Sequence, residues 1–210
     1  MDVIDMTKVI KRNYRYNEQF VKNVDDLLEP NGTRRYKLLI NLNNSFQNKL
    51  LVIMMNPGKA NTNISDRTVN FIINHIYSNN NQFRINKIII TNLYVYYEQK
   101  SQKLLELIEH HGKSFIEGTE NASKFNNNKI IKNEIKKANY IIIAWGKPNC
   151  KTKEYNRRVY EILKFLNNIT VYHFNGLVND KYPRHPRSLP NNATLKSLDC
   201  KSMLKKFKCS

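Results

Sequence analysis

With 210 residues, 40% of them hydrophobic, the chain has enough apolar side chains to bury a full core, which excludes a disordered segment or a small disulfide-stapled scaffold. Its 35 Lys and Arg against 17 Asp and Glu leave a net charge of +18, and an imbalance of that size makes a polyanion, nucleic acid first, the expected partner. The longest apolar runs, Leu50 to Met55 and Tyr140 to Trp145, fall far short of the roughly 20 residues a membrane helix needs, so no membrane association is expected. Three cysteines, Cys150, Cys200 and Cys209, show neither Cys-x-x-Cys spacing nor a nearby histidine pattern, so no metal or other cofactor is expected. An odd count without a leading signal segment fits a reducing cytoplasm.

One domain, acting as a monomer, is expected, with a helical segment over residues 1–30, a core over 31–190 and a basic tail over 191–210. In the first segment Val3, Ile4, Ile10, Phe20, Val21, Val24 and Leu27-Leu28 are scattered among charges and suggest a short helix or two. Arg34 to Leu42 reads as a strand, and Asn43-Asn44-Ser45 turns it into a hairpin with the next one. That next strand, Leu50 to Met55, is six apolar residues without polar alternation, the pattern of a strand covered on both faces. Pro57 and Gly58 stop it, leaving Asn56 on the rim at its carboxyl end, where open α/β sheets bind ligands. Asn56 as a turn cap is the plainer alternative.

Val69, Ile72, Ile73 and Ile76 lie three and four residues apart and predict a helix capped by Ser65 or Asp66. Ile85 to Leu93 is the next buried strand. Leu104 to Ile108, ending near Gly112, and Lys129 to Ala138 are predicted helices. Tyr140 to Gly146 repeats the glycine-stopped buried strand, and Val159, Ile162, Leu163 and Leu166 mark the helix after it. Ile169 to Phe174 follows as the last strand. It empties into Lys181 to Pro190, where three prolines in a short span predict a rigid loop that carries His185 to the same rim as Asn56. Beyond Asn191 a solvated, Lys-rich helix is expected. The alternation of strands and helices predicts a three-layer α/β/α fold with a mostly parallel central sheet.

Met55-Asn56-Pro57-Gly58, Asp66-x-Thr68, Asn92-Leu93, Ala144-Trp145-Gly146 and Pro183-Arg184-His185-Pro186 together resemble the bacterial and phage family catalogued as domain of unknown function 1643, from about Arg35 to Leu189. That family in turn resembles the uracil-DNA glycosylase superfamily, in which a strand ends in an Asn-Pro or Asp-Pro loop and a late loop begins His-Pro. Asn56-Pro57-Gly58 is similar to the Asn-Pro-Gly version of mismatch-specific thymine and uracil glycosylases. His185 to Leu189 is similar to the late loop that enters DNA and contacts the flipped base. Arg187-Ser188 departs from the superfamily's usual Ser-Pro, adding a cation where the wedge would be.

The resemblance implies a monofunctional DNA glycosylase that flips a modified or abnormal base and hydrolyses its N-glycosidic bond, leaving an abasic site. A hypermodified pyrimidine of phage DNA, with a role in host defence, is one such substrate. Cleavage of that bond builds negative charge on the base and positive charge on the sugar. His185 suits donation to a base carbonyl, and Asn56 suits orientation of the attacking water. Asp66 is the candidate general base, with helix capping as its alternative. Pro57 and Gly58 would lie beside the base, Asn92 would read its edge, and Tyr94 (with Tyr96 and Tyr97) and Trp145 would stack on it. Arg184, Arg187 and Ser188 are the expected phosphate contacts. Two rivals stay open: a non-catalytic binder of nucleic acid or modified bases, and an enzyme acting on free nucleosides or nucleotides.

Overall fold

A computed structural model describes residues 14–98, 101–120, 125–148 and 153–208. In chain order these form β1 (Val21–Leu28), β2 (Arg35–Leu42), β3 (Asn48–Met54), α1 (Arg67–Ser78), α2 (Asn80–Phe83), β4 (Ile85–Asn92), α3 (Ser101–His111), α4 (Lys113–Glu117), α5 (Asn127–Lys137), β5 (Tyr140–Ile143), α6 (Lys153–Phe165), β6 (Thr170–Phe174), β7 (Leu177–Val178), β8 (Tyr182–Pro183), a 3₁₀ turn (Pro186–Ser188), β9 (Leu195–Asp199) and α7 (Cys200–Lys208). Seven strands make one mixed sheet in the order β1-β2-β4-β3-β5-β6-β9, and β7 pairs with β8 separately.

The unbroken apolar run of β3 is explained by its place in the middle of that sheet. Leu50, Val52 and Met54 face one side, where Val69, Ile72, Ile73 and Ile76 of α1 cover them. Leu51 and Ile53 face the other, against Tyr155, Val159, Ile162 and Leu163 of α6. Because successive strand side chains point to opposite faces, a run with no polar alternation needs helices on both. Truncating such a side chain, Ile53→Ala for instance, costs about 2–5 kcal/mol.

Several expectations are corrected. The sheet is half parallel rather than mostly so: β4, β3, β5 and β6 run parallel, whereas β1/β2, β2/β4 and β6/β9 are antiparallel. The hairpin joins β2 to β1, and β4 lies between β2 and β3, so no β2–β3 hairpin forms. Val21–Leu28 is an edge strand instead of a helix, and the candidate helix positions before Tyr14 lie outside the described residues, as do Cys150 and Cys209. The Lys-rich tail is not a solvated appendage. β9 pairs with β6, and α7 buries Cys200, Met203 and Phe207, whose three- and four-residue spacing makes an apolar stripe. Within the proline loop, β8 makes a two-residue ladder and Pro186 starts a 3₁₀ turn, which needs no N–H at its first position.

Candidate functional site

β3 sends the chain to α1 on one face of the sheet, and the neighbouring β5 sends it to α6 on the other. The crevice beyond the carboxyl ends of these two strands is therefore a topological switch point, the place where open α/β sheets bind ligands. A cavity of about 360 Å³ opens there, lined by Tyr14, Arg35, Asn56 to Lys59, Asp66 to Val69, His185 and Arg187 with Met54 behind. Its size falls in the ordinary range for small-ligand sites. Among the described lining residues four are cations, Arg35, Lys59, Arg67 and Arg187, against the one carboxylate of Asp66, so the cavity is electropositive.

Asn56 leaves β3 with its amide already committed on one side: Nδ2 donates to the backbone carbonyl of Glu98. Oδ1, an acceptor only, is what it offers to the cavity. The turn that holds it is closed by Asp66, whose Oδ1 accepts from Val69 N at 2.8 Å as the cap of α1 and whose Oδ2 accepts from Ala60 N at 3.3 Å. Gly58 is required by that closure. A Cβ there would sit 2.4 Å from Asp66 Oδ2, so any side chain would push the carboxylate off the loop. Both carboxylate oxygens are thus engaged by backbone N–H groups, and capping is the role the geometry gives Asp66.

His185 reaches the cavity from the far end of the chain. Gly146, at φ +78°, lets the end of β5 pass so close that a Cβ would lie 3.1 Å from His185 Cβ. The hydroxyl of Tyr155 holds that strand end by donating to Gly146 O at 2.7 Å. His185 Nδ1 accepts the backbone N–H of Arg187 at 3.2 Å, which places the proton of the neutral ring on Nε2. Burial lowers its pKa from 6.5 to about 4, with Arg187 acting in the same direction and Asp66 opposing. The ring is neutral at pH 7, a hydrogen-bond donor through Nε2.

Asn56, Pro57, Gly58, Asp66, His185 and Arg187 thus come together from the expected set. Arg184 and Ser188 do not join them. They line a separate shallow groove with Asn175 and Lys196, and Ser188 Oγ donates to His185 O at 2.9 Å, bracing the loop. Asn92, Tyr94 and Trp145 are corrected more sharply. They are 0%, 1% and 0% exposed, packed in the core and absent from the cavity wall. The reason lies in the backbone: after β4 the chain hydrogen-bonds to the strand ends and to β2, with Tyr94 N on Met55 O and Arg35 N on Val95 O, which tucks Asn92 and Tyr94 inward, while Ala144 N on Ile53 O holds the end of β5 that carries Trp145. Tyr96 packs on His111 and Phe115, whereas the Tyr97 ring lies 5.4 Å from the Arg35 guanidinium.

Sequence reasoning gave no site role to Tyr14, Arg35, Lys59 or Arg67, nor to Thr68, which it met only as part of the Asp66-x-Thr68 motif. Tyr14 is brought in because its carbonyl accepts from Ser65 N at 2.9 Å, a contact with no pattern in the sequence. Arg35 had a readable signal. Adjacent residues of a strand point to opposite faces, so Arg34 and Arg35 cannot share surroundings. Arg34 pairs with Glu29 and Glu120, and Arg35 faces the cavity side.

A mixed sheet with helices on both faces and a positive cavity at its switch point defines an α/β protein with a strand-end cavity. The chain belongs to the family described as protein of unknown function DUF1643, whose profile matches residues 35–187. That stretch carries every cavity-lining residue except Tyr14. No curated protein and no solved structure matches the chain.

Proposed function

We propose that the protein is a monofunctional DNA glycosylase of the uracil-DNA glycosylase type, with that superfamily's three-layer α/β/α plan, acting as a monomer on DNA and excising a modified or abnormal base. One observation carries the reading: Asn56 and His185, distant in sequence, line a single electropositive cavity of small-ligand size at the switch point of the sheet. A base inside a duplex exposes neither its glycosidic bond nor its full edge, so the target would be extruded into the cavity. His185 Nε2–H donates to the base as negative charge builds on it, and a neutral donor at the leaving group avoids a buried cation that burial disfavours. Asn56 Oδ1 accepts from a water and aims it at the sugar carbon. Its other amide edge is held by Glu98 O, so the oxygen is preoriented. Asp66 keeps the loop closed and adds negative charge near the cationic sugar. Lys59, Arg67 and Arg187, all exposed at the cavity, take flanking phosphates. A hypermodified pyrimidine of phage DNA, and with it a role in host defence, fits this scheme.

The engagement of both Asp66 oxygens by backbone N–H groups favours one alternative, a non-catalytic binder of an extruded base, since it leaves the site without a free carboxylate base. Alkali-labile strand breaks in DNA carrying varied modified bases separate the two. Turnover lost in Asn56→Ala and His185→Ala supports the glycosylase. Tight binding of the same DNA with no alkali-labile site in the wild-type protein supports the binder.

A further inference from the structure

Arg35 is 1% exposed, and its guanidinium is only partly used: Nη1 donates to Ala60 O, while Nε and Nη2 have no hydrogen-bond partner. Those two atoms form one edge of the guanidinium, two parallel N–H groups in a fixed fork. The edge has essentially no solvent-accessible surface, so bulk water does not reach it. Among the described residues Arg35 forms no ion pair, unlike its neighbour Arg34, which holds two glutamates. A buried cation with no counter-charge is costly even with the Tyr97 ring beside it, and donors left unmade inside a protein call for an explanation, which at a residue lining a cavity is a ligand entering it. The first turn of α1, through Arg67 and Thr68, lines the same cavity and adds the positive end of a helix.

We propose that the Nε/Nη2 edge of Arg35 selects what enters the cavity, and that it takes a ligand bearing two adjacent hydrogen-bond acceptors. This rests on the reading of the cavity as a base-binding site and adds the class of base. The exposed cations suffice for phosphates of the strand, but a group as buried as Arg35 meets only what is inserted. Among nucleobases the fork fits the O2/N3 edge of cytosine-type bases and the O6/N7 edge of guanine. Uracil and thymine present an N3–H between two separated carbonyls, which turns a donor toward a donor. Adenine places its amino group beside N7 and fails the same way. A carboxylate or phosphate offers the same acceptor pair. Seating any of these takes a turn of the guanidinium toward the cavity that Arg35 already lines.

The test is calorimetric titration of the full chain with 2′-deoxycytidine, 2′-deoxyguanosine, 2′-deoxyuridine, thymidine and inorganic phosphate. The wild-type protein binds deoxycytidine or deoxyguanosine about tenfold or more tightly than deoxyuridine and thymidine, the discrimination one good bidentate pair provides. Arg35→Lys, which keeps the charge and removes the fork, brings that preference to within about twofold. Arg35→Gln does the same, with folding of both variants checked by circular dichroism. Competition of the nucleoside by phosphate, lost in Arg35→Lys, shows the same edge taking an oxyanion. Equal binding of deoxyuridine or thymidine by the wild type overturns the proposal, as does a preference that survives Arg35→Lys. Base release from DNA is read separately, so a glycosylase lacking the preference refutes this inference alone, and the preference without base release refutes the enzyme reading alone.

Discussion

At the cavity, Asn56 and His185 are each oriented by a hydrogen bond to the backbone: Asn56 Nδ2 on Glu98 O, and His185 Nδ1 on Arg187 N–H. What remains, Oδ1 and Nε2–H, is an acceptor and a donor of defined position. Because burial holds His185 neutral down to a pKa of about 4, the proposed base release is expected to show a constant rate between about pH 5.5 and 8. A rate that climbs as pH falls through 6.5 would show instead that a protonated imidazole is the acting form. The same shift sets a stability trend. The native state disfavours the proton that the unfolded chain accepts at its ordinary value, so stability is full above pH 6.5 and declines as pH falls toward 4. Urea denaturation at pH 7 and pH 5 measures the decline, and His185→Gln makes it smaller. His75 and His173, also lowered by burial, act in the same direction, and Glu117, whose carboxyl burial raises, opposes them. Gly58→Ala is expected to destabilise by about 1–3 kcal/mol, since its Cβ would collide with the Asp66 carboxylate; an unchanged denaturation midpoint contradicts that closure.

The elements show which parts of the molecule the sequence could disclose. β3 and α1 were legible because their patterns are dictated by burial: an unbroken apolar run for a strand covered twice, and three- and four-residue spacing for a helix covered once. The loop between them was legible at smaller scale, since Pro57 cannot continue a strand ladder, Gly58 stands where a side chain would meet the Asp66 carboxylate, and Asp66 caps the next helix. Asp66→Ala accordingly costs about 1 kcal/mol of stability through the lost cap, read by thermal or urea denaturation; an unaltered stability removes the capping role. Other elements hid their nature. β1 is an edge strand whose half-exposed residues alternate weakly, and its pairing to β2 is a property of the hairpin rather than of either segment. α7 looked like a solvated tail because lysines outnumber the three residues that bury it. Asn92, Tyr94 and Trp145 stood at strand ends, and only the tertiary hydrogen bonds of the segments after β4 and β5 decided that they turn inward. The cavity itself joins segments from Tyr14 to Arg187, a convergence no local pattern encodes.

For the whole molecule, the net charge is +18, and the cavity lining shares its sign, with four cations against one carboxylate. If Lys59, Arg67, Arg187 and a further cation such as Arg184 each displace a counterion, affinity for DNA falls roughly 100-fold between about 50 and 200 mM salt. Arg187→Ala lowers the slope of log affinity against log salt by about 1. Binding measured by fluorescence anisotropy and found insensitive to salt points instead to a ligand without a phosphate chain. The most direct measurement is the appearance of alkali-labile abasic sites in DNA from phages of differing base modification, treated with wild-type protein and with Asn56→Ala and His185→Ala proteins shown to be folded. The account predicts such sites in at least one modified DNA with the wild type, and their loss, by about a hundredfold or more for each variant, as expected when a positioned donor or water-holding group is removed. Abasic sites formed equally by the variants, or none formed by the wild type on any of these DNAs, would contradict it.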